Sequence, residues 1–522
     1  MLAKLKRVAT TICPIRRDEL KKFIPMFVIF FFVGFVYNIL RNAKDAILIT
    51  GQSSGAEIIP FVKVWVMLPG ALLMTAFFSW LSNRYTMERV FYILISIFIF
   101  YFLAFAFIMY PNNDALLFHA GADFLSNYLP KGALGFVSMI RNWSFTLFYV
   151  MCELWSCIIL SILFWGFANE TTTVDEASRF YGFFGIGINF SGIAAGQVSI
   201  YLSRLPMKLP FIQDQWQRSL VCMTVVIAIS GVLIVAFLRW MHKNVFHDCK
   251  YYKPKSKNEF KLSLRKNFSF LAKSKYLVCI ALIVVSFNLV INLVEVLWKD
   301  QVRQLYPNPA DFSVYLNQIT VITGVVATVV ALFTTLIIKK FGWTKAAFIT
   351  PLMLFLTSIG FFTCLFFGQK FSGPLMTIAG MTPLTLIALF GSAQICLSRG
   401  CKYTLFDSTK ELAFVPLTPE SRKKGKAAID GVGSRLGKSG GSVIHQGLLM
   451  VCSSFALSAP YIAVFLLIVI CLWMVSVKVL GKEFNALLKT HGHITVDSQP
   501  EKSGSAQQEV SDSSRAVSEQ LV

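Results

Sequence analysis

The sequence predicts an all-α integral membrane protein in which about twelve transmembrane helices form two halves of six. Three observations predict this fold class. Hydrophobic residues make up 55% of the 522 residues and charged residues only 15%, whereas a soluble globular chain has about 25% charged residues. The charges are clustered, so that long apolar stretches separate them. Short motifs of the first half also recur in the second half at a nearly constant offset.

The apolar stretches are long enough to cross a membrane. A helix rises about 1.5 Å per residue, so about 20 apolar residues span a hydrocarbon core of about 30 Å. Ten stretches of suitable length with one charge or none are Phe23–Leu40, Val64–Asn83, Val90–Tyr110, Trp143–Asn169, Phe180–Ser203, Ser219–Leu238, Tyr276–Val294, Phe312–Ile338, Ala346–Gln369 and Phe371–Ser398. Ser439–Val477 has no Lys, Arg, Asp or Glu. It is long enough for two more helices, and we expect the turn between them near Ala459-Pro460.

The net charge of +22 does not indicate nucleic-acid binding, because the basic residues occupy one set of loops. Lys and Arg concentrate in the N-terminal segment, in alternate loops and after Val477. The densest cluster, Arg239–Lys275, has 11 basic and 2 acidic residues and lies between the sixth and seventh stretches. Basic loops stay on the cytoplasmic side of a membrane. We therefore expect both termini to be cytoplasmic and the linker to lie against anionic lipid.

These features divide the chain into five segments. We predict a cytoplasmic N-terminal segment (1–22), a six-helix half (23–238), a basic cytoplasmic linker (239–275), a second six-helix half (276–477) and a cytoplasmic, largely disordered tail (478–522). The tail is polar and rich in serine, a composition that buries too little apolar surface to fold. The N-terminal segment lacks the apolar core and cleavage site of a signal peptide.

No pattern in the sequence indicates a metal site, a cofactor or an enzyme. The 11 cysteines form no CxxC pair and the six histidines are scattered, so we expect neither a metal nor a cofactor. The segment GVGSRLGKSGGS (431–442) resembles a phosphate-binding GxxxxGK[ST] loop. Its first required glycine is replaced by Val432, however, and no strand signal precedes the segment. We therefore expect a secondary transporter and not an ATPase.

Three short matches indicate that the chain contains two repeats. Asn38-Ile39-Leu40 corresponds to Asn292-Leu293-Val294 at an offset of 254, and Lys44-Asp45 to Lys299-Asp300 at 255. The basic loops that begin at Arg84 and Lys340 match at 256. These matches favour the arrangement of major-facilitator-like carriers, whose halves rock around a site near the bilayer midplane. The alternative is a twelve-helix protein with unrelated halves.

Four charged residues interrupt the apolar stretches or border them. A charge at the centre of a membrane helix costs about 2.5–3.5 kcal/mol on insertion scales, so such residues usually mark a solute pathway. The four are Lys63, Glu153, Glu295 and Lys438. We predict that they bind a charged solute, with the lysines pairing with a polyanion. Structural ion pairs or snorkelling to the interface are the alternative. Weaker candidates are Arg41 and Arg435, either of which could equally be an interfacial anchor.

Six segments of the sequence resemble the ATP/ADP translocase family of obligate intracellular bacteria and plastids. They are FWGFANE (164–170), EASRFY (176–181), INLVEVLWK (291–299), KYTLFD (402–407), KGKAAID (424–430) and GKSGGS (437–442). The resemblance extends from about Cys13 to Lys482. It implies a twelve-helix nucleotide transporter that exchanges ATP for ADP by alternating access. The family's functionally important Lys, Glu, Glu and Lys fall on the same four residues that the cost of burial had indicated.

Two departures from the family pattern leave the coupling and the base preference open. Many relatives have an Ile-Gln-Asn tripeptide where this chain has Ala393-Gln394-Ile395, and a basic residue where it has Ser178. The alternatives are proton-coupled net import of nucleotides with another base preference, or a major-facilitator-type carrier of another organic anion. The expected partners are ATP and ADP, as free nucleotides without magnesium, and the lipid bilayer. We expect a monomer in the inner membrane of an obligate intracellular bacterium.

Overall fold

The structure is a computed structural model that describes residues 15–16, 18–51, 54–205, 212, 214–245, 274–368, 370, 381–417, 421–422, 425–426, 429 and 433–490. The described residues contain twelve long helices. They are α1 (Leu20–Thr50), α2 (Ile58–Arg84), α3 (Met87–Met109), α4 (Trp143–Thr171), α5 (Val174–Arg204), α6 (Gln215–Asn244), α7 (Lys275–Leu305), α8 (Pro309–Thr334), α9 (Leu336–Phe367), α10 (Pro383–Cys401), α11 (Ser434–Cys452) and α12 (Phe455–Thr490).

Shorter helical segments extend or connect these helices. Between α3 and α4 lie Asn113–Leu116, His119–Tyr128, Lys131–Ala133 and Leu134–Arg141. The helix α10 continues through a π-helical turn, Lys402–Phe406, into Asp407–Phe414. The helices α8 and α9 belong to one helical run that bends sharply at Gly342, where φ is 75°. That value favours glycine, and it places a turn inside the second of the two basic loops matched in sequence.

Eleven of the twelve helices are long and apolar enough to cross a membrane. The exception among the described residues is α11, which is 19 residues long and less apolar because it carries Arg435, Lys438 and several glycines. It packs against α7 and α12 and also contacts α2, while Leu436, Val443 and Val451 lie on its exposed side. The all-helical fold with about twelve spans is thus confirmed, with α11 as the polar member of the set.

The expected turn near Ala459-Pro460 is wrong. The chain turns at Ser453, where φ is 63°, and α12 begins two residues later at Phe455. Pro460 lies inside the first turns of α12, where a proline removes one intrahelical hydrogen bond but does not end the helix.

The helix ends also differ from the segment bounds expected from sequence. The helix α1 begins at Leu20, α6 extends to Asn244 and α12 extends to Thr490, well past Val477. Of the expected basic linker, residues 246–273 lie outside the described residues, and so do 491–522 of the expected tail.

The first six helices and the last six form two bundles that meet along α1, α5 and α8. In the first half α1 packs against α5 and α6, and in the second half α7 packs against α11 and α12. Between the halves, α5 and α8 approach closely at two glycines. A Cβ atom at Gly196 would lie 2.9 Å from the carbonyl oxygen of Asn317, and one at Gly324 would lie 3.0 Å from that of Asn189. Each helix therefore has a glycine where the backbone of the other helix approaches closely.

We call the ends at which α1 and α7 begin the termini face, and the opposite ends the far face. Several contacts between the halves lie at the far face. The start of α2 (Ile58–Phe61) and the short helix Lys131–Ala133 both contact α11. A Cβ atom at Gly132 would overlap the backbone of Leu449, close to the end of α11. The two halves are therefore in direct contact at the far face.

Replacing Gly196 with Ala should destabilise the fold, because the added methyl group meets the backbone oxygen of Asn317 across the α5–α8 contact. Overpacking of this kind costs about 1–3 kcal/mol. The matched control is Gly185→Ala on the same helix, since a Cβ atom there meets nothing within 4 Å and alanine favours helix. Thermal unfolding of both purified variants in detergent provides the measurement. A melting temperature of Gly196→Ala equal to or above that of the control would contradict this account of the contact.

Candidate substrate-binding site

Three charged side chains of the central region lie in or beside π-helical turns. Lys63 lies within the turn Val62–Met67 of α2. Glu153 is two residues before the turn Trp155–Phe164 of α4, and Arg399 precedes the turn Lys402–Phe406. Such turns interrupt the regular hydrogen-bond pattern and often occur at functional sites. Near Lys63 a sequence cause is visible, because Pro69 has no N–H to donate to the preceding turn.

Six charged side chains form one continuous series of ion pairs in which acids and bases alternate. In order they are Glu153, Lys44, Asp45, Lys299, Glu295 and Arg399. The first three belong to the first half of the protein and the last three to the second half. With three acids and three bases, the series is neutral as a whole.

Asp45 is the centre of this series. Its Oδ1 lies 2.9 Å from the Nζ of Lys44, and its Oδ2 lies 2.8 Å from the Nζ of Lys299 on α7. Lys44 also pairs with Glu153 at 3.1 Å, and its Nζ lies 3.8 Å from the ring centroid of Tyr149. The side chains of Lys44, Asp45 and Lys299 are only 3–4% exposed. Each of these charges is therefore buried together with opposite charges, as charges in a membrane protein must be.

Glu295 joins the series to α10. Its Oε1 lies 2.6 Å from the Nζ of Lys299, one turn along α7, and 2.8 Å from Nη2 of Arg399. The Glu295 and Arg399 side chains are 16% and 20% exposed, and that of Glu153 is 31% exposed. The two ends of the series are thus more accessible than its centre.

Lys63 and Lys438 meet at one residue, Asn292. The Nζ of Lys63 donates a hydrogen bond to Oδ1 of Asn292 at 3.2 Å, and Nδ2 of Asn292 donates to the carbonyl oxygen of Lys438 at 2.7 Å. This contact also joins the two halves. Within the described part of the chain, neither lysine has an ion-pair partner, and Lys438 is exposed. Unlike Lys44 and Lys299, these two cations remain available to a ligand.

Of the two weaker candidates, the structure describes the side chain of Arg41 but not that of Arg435. Arg41 on α1 lies near the hydroxyl of Tyr37 and the carboxylates of Asp45 and Glu295, so it belongs to the same cluster. With Arg41, Lys63 and Lys438 added to the neutral series, this charge cluster has an excess of three positive charges.

The cost of burial did not identify Lys44, Asp45, Lys299 or Arg399. In the sequence, Lys44-Asp45 and Lys299-Asp300 lie beyond the apolar stretches that end at Leu40 and Val294, whereas α1 continues to Thr50 and α7 to Leu305. The signal that could have found three of these residues is the repeat itself, because it matched the same Lys-Asp pair in both halves. Arg399 had no such signal.

The segment that departs from the family pattern is part of the packed interior of α10. Ile395 is fully buried, and Gln394 donates a hydrogen bond to the hydroxyl of Ser358 at 2.9 Å. The side chain of Ser178 lies outside the described residues. His445 of α11 is also fully buried, and its Nε2 is 3.0 Å from the carbonyl oxygen of Leu293.

Comparison with known proteins decides the family. The chain matches the family model described as TLC ATP/ADP transporter over residues 2–484. The chain belongs to this family. It is 42% identical to ADP,ATP carrier protein 2 of Chlamydia pneumoniae over 92% of this chain and 91% of that protein. It is 40% identical to the chloroplastic ADP,ATP carrier protein 1 of Arabidopsis thaliana over 90% of this chain and 74% of that protein.

Solved structures agree on the fold of this TLC family member. A D-xylose–proton symporter gives a TM-score of 0.54 at 14% identity, covering 89% of this chain and 97% of its own. An inward-facing bacterial homologue of ferroportin gives 0.54 at 12% identity, covering 91% and 99%. The major-facilitator-like fold is therefore confirmed. With its family and its helices, the protein is a multi-pass membrane transporter and not an enzyme. The described residues contain no group of three or more His, Cys, Asp or Glu that could hold a metal ion.

Glu295→Gln should destabilise this transporter more than Glu153→Gln. Glu295 pairs with both Lys299 and Arg399 and is little exposed. Its loss leaves Lys299 with Asp45 alone and removes the carboxylate that Arg399 pairs with among the described residues, at a cost of about 3–5 kcal/mol. Glu153 is more exposed and Lys44 retains Asp45, so its loss should cost about 1 kcal/mol. Melting temperatures in detergent would compare the two variants, which carry the same chemical change. A larger drop for Glu153→Gln would show that the series does not stabilise the fold in this way.

Proposed function

We propose that this protein exchanges ATP for ADP across a bacterial inner membrane by alternating access. The observation that carries this proposal is the contact of both halves at Asn292. The ammonium of Lys63 and the backbone of Lys438 bond to the same side-chain amide, and neither lysine has a carboxylate partner in the described residues. The names of its relatives, ADP,ATP carrier proteins of Chlamydia and plastids, support this substrate class.

The charge of the site suits a nucleotide polyphosphate. ATP and ADP carry about four and three negative charges near neutral pH, because each terminal phosphate has a second pKa near 6. An excess of three positive charges in the cluster balances such an anion. Lysine suits a mobile polyanion because its ammonium is a flexible point charge that imposes no single geometry.

The same charges provide a reason for exchange. Without a nucleotide, the excess positive charge that Arg41, Lys63 and Lys438 bring to the cluster would have to reorient without being neutralised, which is costly in a low-dielectric interior. With a nucleotide bound, the charges balance and the two halves can move. Glu153 and Glu295 serve as counter-charges that compete with the phosphates for the cations and so favour release. One nucleotide then leaves as another enters.

The contact between the halves at the far face indicates which side of the membrane the site is open to. We propose that both termini are cytoplasmic, as the distribution of Lys and Arg predicts, and that the far face is periplasmic. The state described here would then be closed towards the periplasm, and the site would exchange its nucleotide with the cytoplasm.

Replacing Lys63 or Lys438 with Gln should weaken nucleotide binding about 10- to 100-fold. Each change removes a charged hydrogen bond to phosphate worth about 1.5–3 kcal/mol. The matched control is Lys345→Gln, an exposed lysine of α9 close to the bend at Gly342. Isothermal titration calorimetry with ATP and ADP on purified, folded variants measures the effect. Unchanged affinity in both site variants would remove these lysines from the site.

Uptake of labelled ATP into proteoliposomes should be strongly stimulated by ADP inside them. We expect at least about tenfold faster uptake than into empty vesicles, with no effect of a protonophore, because the empty site cannot reorient. Equal uptake into empty vesicles that collapses with the protonophore would instead show proton-coupled import. Uptake of another organic anion in preference to any nucleotide would overturn the substrate class.

A further inference from the structure

Of the ion pairs in the series, the one between Asp45 and Lys299 joins the two halves. We call it the Asp45 bridge. It connects α1 to α7 at equivalent places, since Lys44 lies six residues before the end of α1 and Lys299 six residues before the end of α7. Both places lie towards the far face, where the two halves are in contact.

The repeat would allow a second bridge, which the structure does not form. Asp300 is the repeat equivalent of Asp45, so a symmetric arrangement would pair Asp300 with Lys44. Instead, Oδ2 of Asp300 accepts hydrogen bonds from the side-chain amides of Gln301 and Gln304, both at 3.0 Å. Asp45 pairs with both lysines. The electrostatic connection between the halves through these two Lys-Asp pairs therefore depends on one carboxylate.

Breaking the Asp45 bridge leaves no lysine without a counter-charge. If the halves part, Lys44 keeps Asp45 and Glu153 on its own side, and Lys299 keeps Glu295 on α7. The first group, Glu153, Lys44 and Asp45, has a net charge of −1. The second, Lys299, Glu295 and Arg399, has a net charge of +1. The bridge thus holds the halves together by the attraction of two groups that are each internally paired, and this makes it reversible.

We propose that Asp45 is a positioning residue of the transport cycle, whose pairing with Lys299 keeps the far face closed and must break before that face opens. The proposal rests on the proposed function in one respect only, the identity of the ligand that weakens the bridge. A nucleotide polyphosphate near Lys63 and Arg41 would attract Arg399 and Lys299 away from Glu295 and Asp45. A bound nucleotide would then lower the barrier to opening. A ligand shifts such an equilibrium only through its different affinity for the two states.

The test compares Asp45→Asn with Asp300→Asn in the full-length protein without nucleotide. Both variants lose one carboxylate at equivalent repeat positions, but only the first loses a lysine partner. Hydrogen–deuterium exchange followed by mass spectrometry reports local opening along the chain. In Asp45→Asn we expect at least about fivefold faster exchange in the far-face segments Ile58–Phe61 and Lys131–Ala133. Exchange at the termini face should stay unchanged or slow down.

Three results would overturn the proposal. They are unchanged far-face exchange in Asp45→Asn, equally fast exchange at both faces (which would indicate general destabilisation), and the same effect in Asp300→Asn. Asp45→Glu, which keeps the charge, should restore slow exchange if the pairing with lysine is what matters. Lys299→Gln should open the far face as Asp45→Asn does, because it removes the other partner.

Adding ADP separates this inference from the proposed function. In the wild-type protein, ADP should speed far-face exchange, and in Asp45→Asn it should add little because the bridge is already absent. If Asp45→Asn opens the far face but ADP does not change exchange in the wild-type protein, the role of the bridge is supported and ADP is not the ligand that weakens it. If ADP speeds exchange equally in both proteins, opening of the far face does not depend on breaking the Asp45 bridge.

Discussion

Ionised side chains inside a membrane are tolerated only where other charges or polar groups replace the water they have lost, and this constraint accounts for the centre of the structure. Lys44, Asp45 and Lys299 are almost completely buried, and each lies within 3.1 Å of an opposite charge. The helices that carry these charges must face one another, because three of the ion pairs join different helices. The positions of α1, α4, α7 and α10 around the site are therefore tied to the pairing of their charges.

A carrier also changes conformation during transport, so each buried charge needs a counter-charge both before and after its partners change. Here every lysine of the series has a partner within its own half, and one bridge, Asp45 to Lys299, connects the halves in the series. Separation of the halves converts a neutral series into two smaller groups of opposite charge. The cost of movement then depends on the attraction between these groups and not on exposing a bare charge. A polyanion in the site enters the same balance, which links its binding to the movement of the halves.

Much of the fold follows from sequence, because hydrophobic length and the distribution of Lys and Arg are local properties of the chain. The helices cover most of each apolar stretch, but α1 and α7 continue well past theirs to Thr50 and Leu305. The turn expected at Pro460 is also misplaced, because Pro460 lies within α12. The site was only partly predictable. The cost of burial indicated Lys63 and Glu153 because each stands alone in an apolar stretch. It missed Lys44 and Asp45 because they lie past the end of the apolar stretch at Leu40, where a charge was not expected to be buried.

The partners in the site could not be predicted in any case. Glu153 pairs with Lys44, and Arg399 with Glu295, across more than 100 residues of sequence, and no spacing rule connects such positions. The repeat offers the one long-range signal in a single sequence. It relates α1 to α7 and thereby places Lys44-Asp45 opposite Lys299-Asp300. It does not reveal that Asp45 takes both lysines, because that depends on side-chain geometry that sequence similarity between the halves does not specify.

The two repeats also use similar contacts for different purposes. Between α1 and α8, the amide of Asn42 donates hydrogen bonds to Asn317 and Thr320 at 2.8 and 2.9 Å, and all three residues are buried. Between α2 and α7, the corresponding crossing pairs the charged Lys63 with Asn292. Neutral amides and hydroxyls respond weakly to the charge of a bound ligand, whereas an ammonium responds strongly. A nucleotide polyphosphate bound as we propose would therefore act on one crossing and leave the other intact. The halves would then stay connected along α1 and α8 while the contacts around the site rearrange.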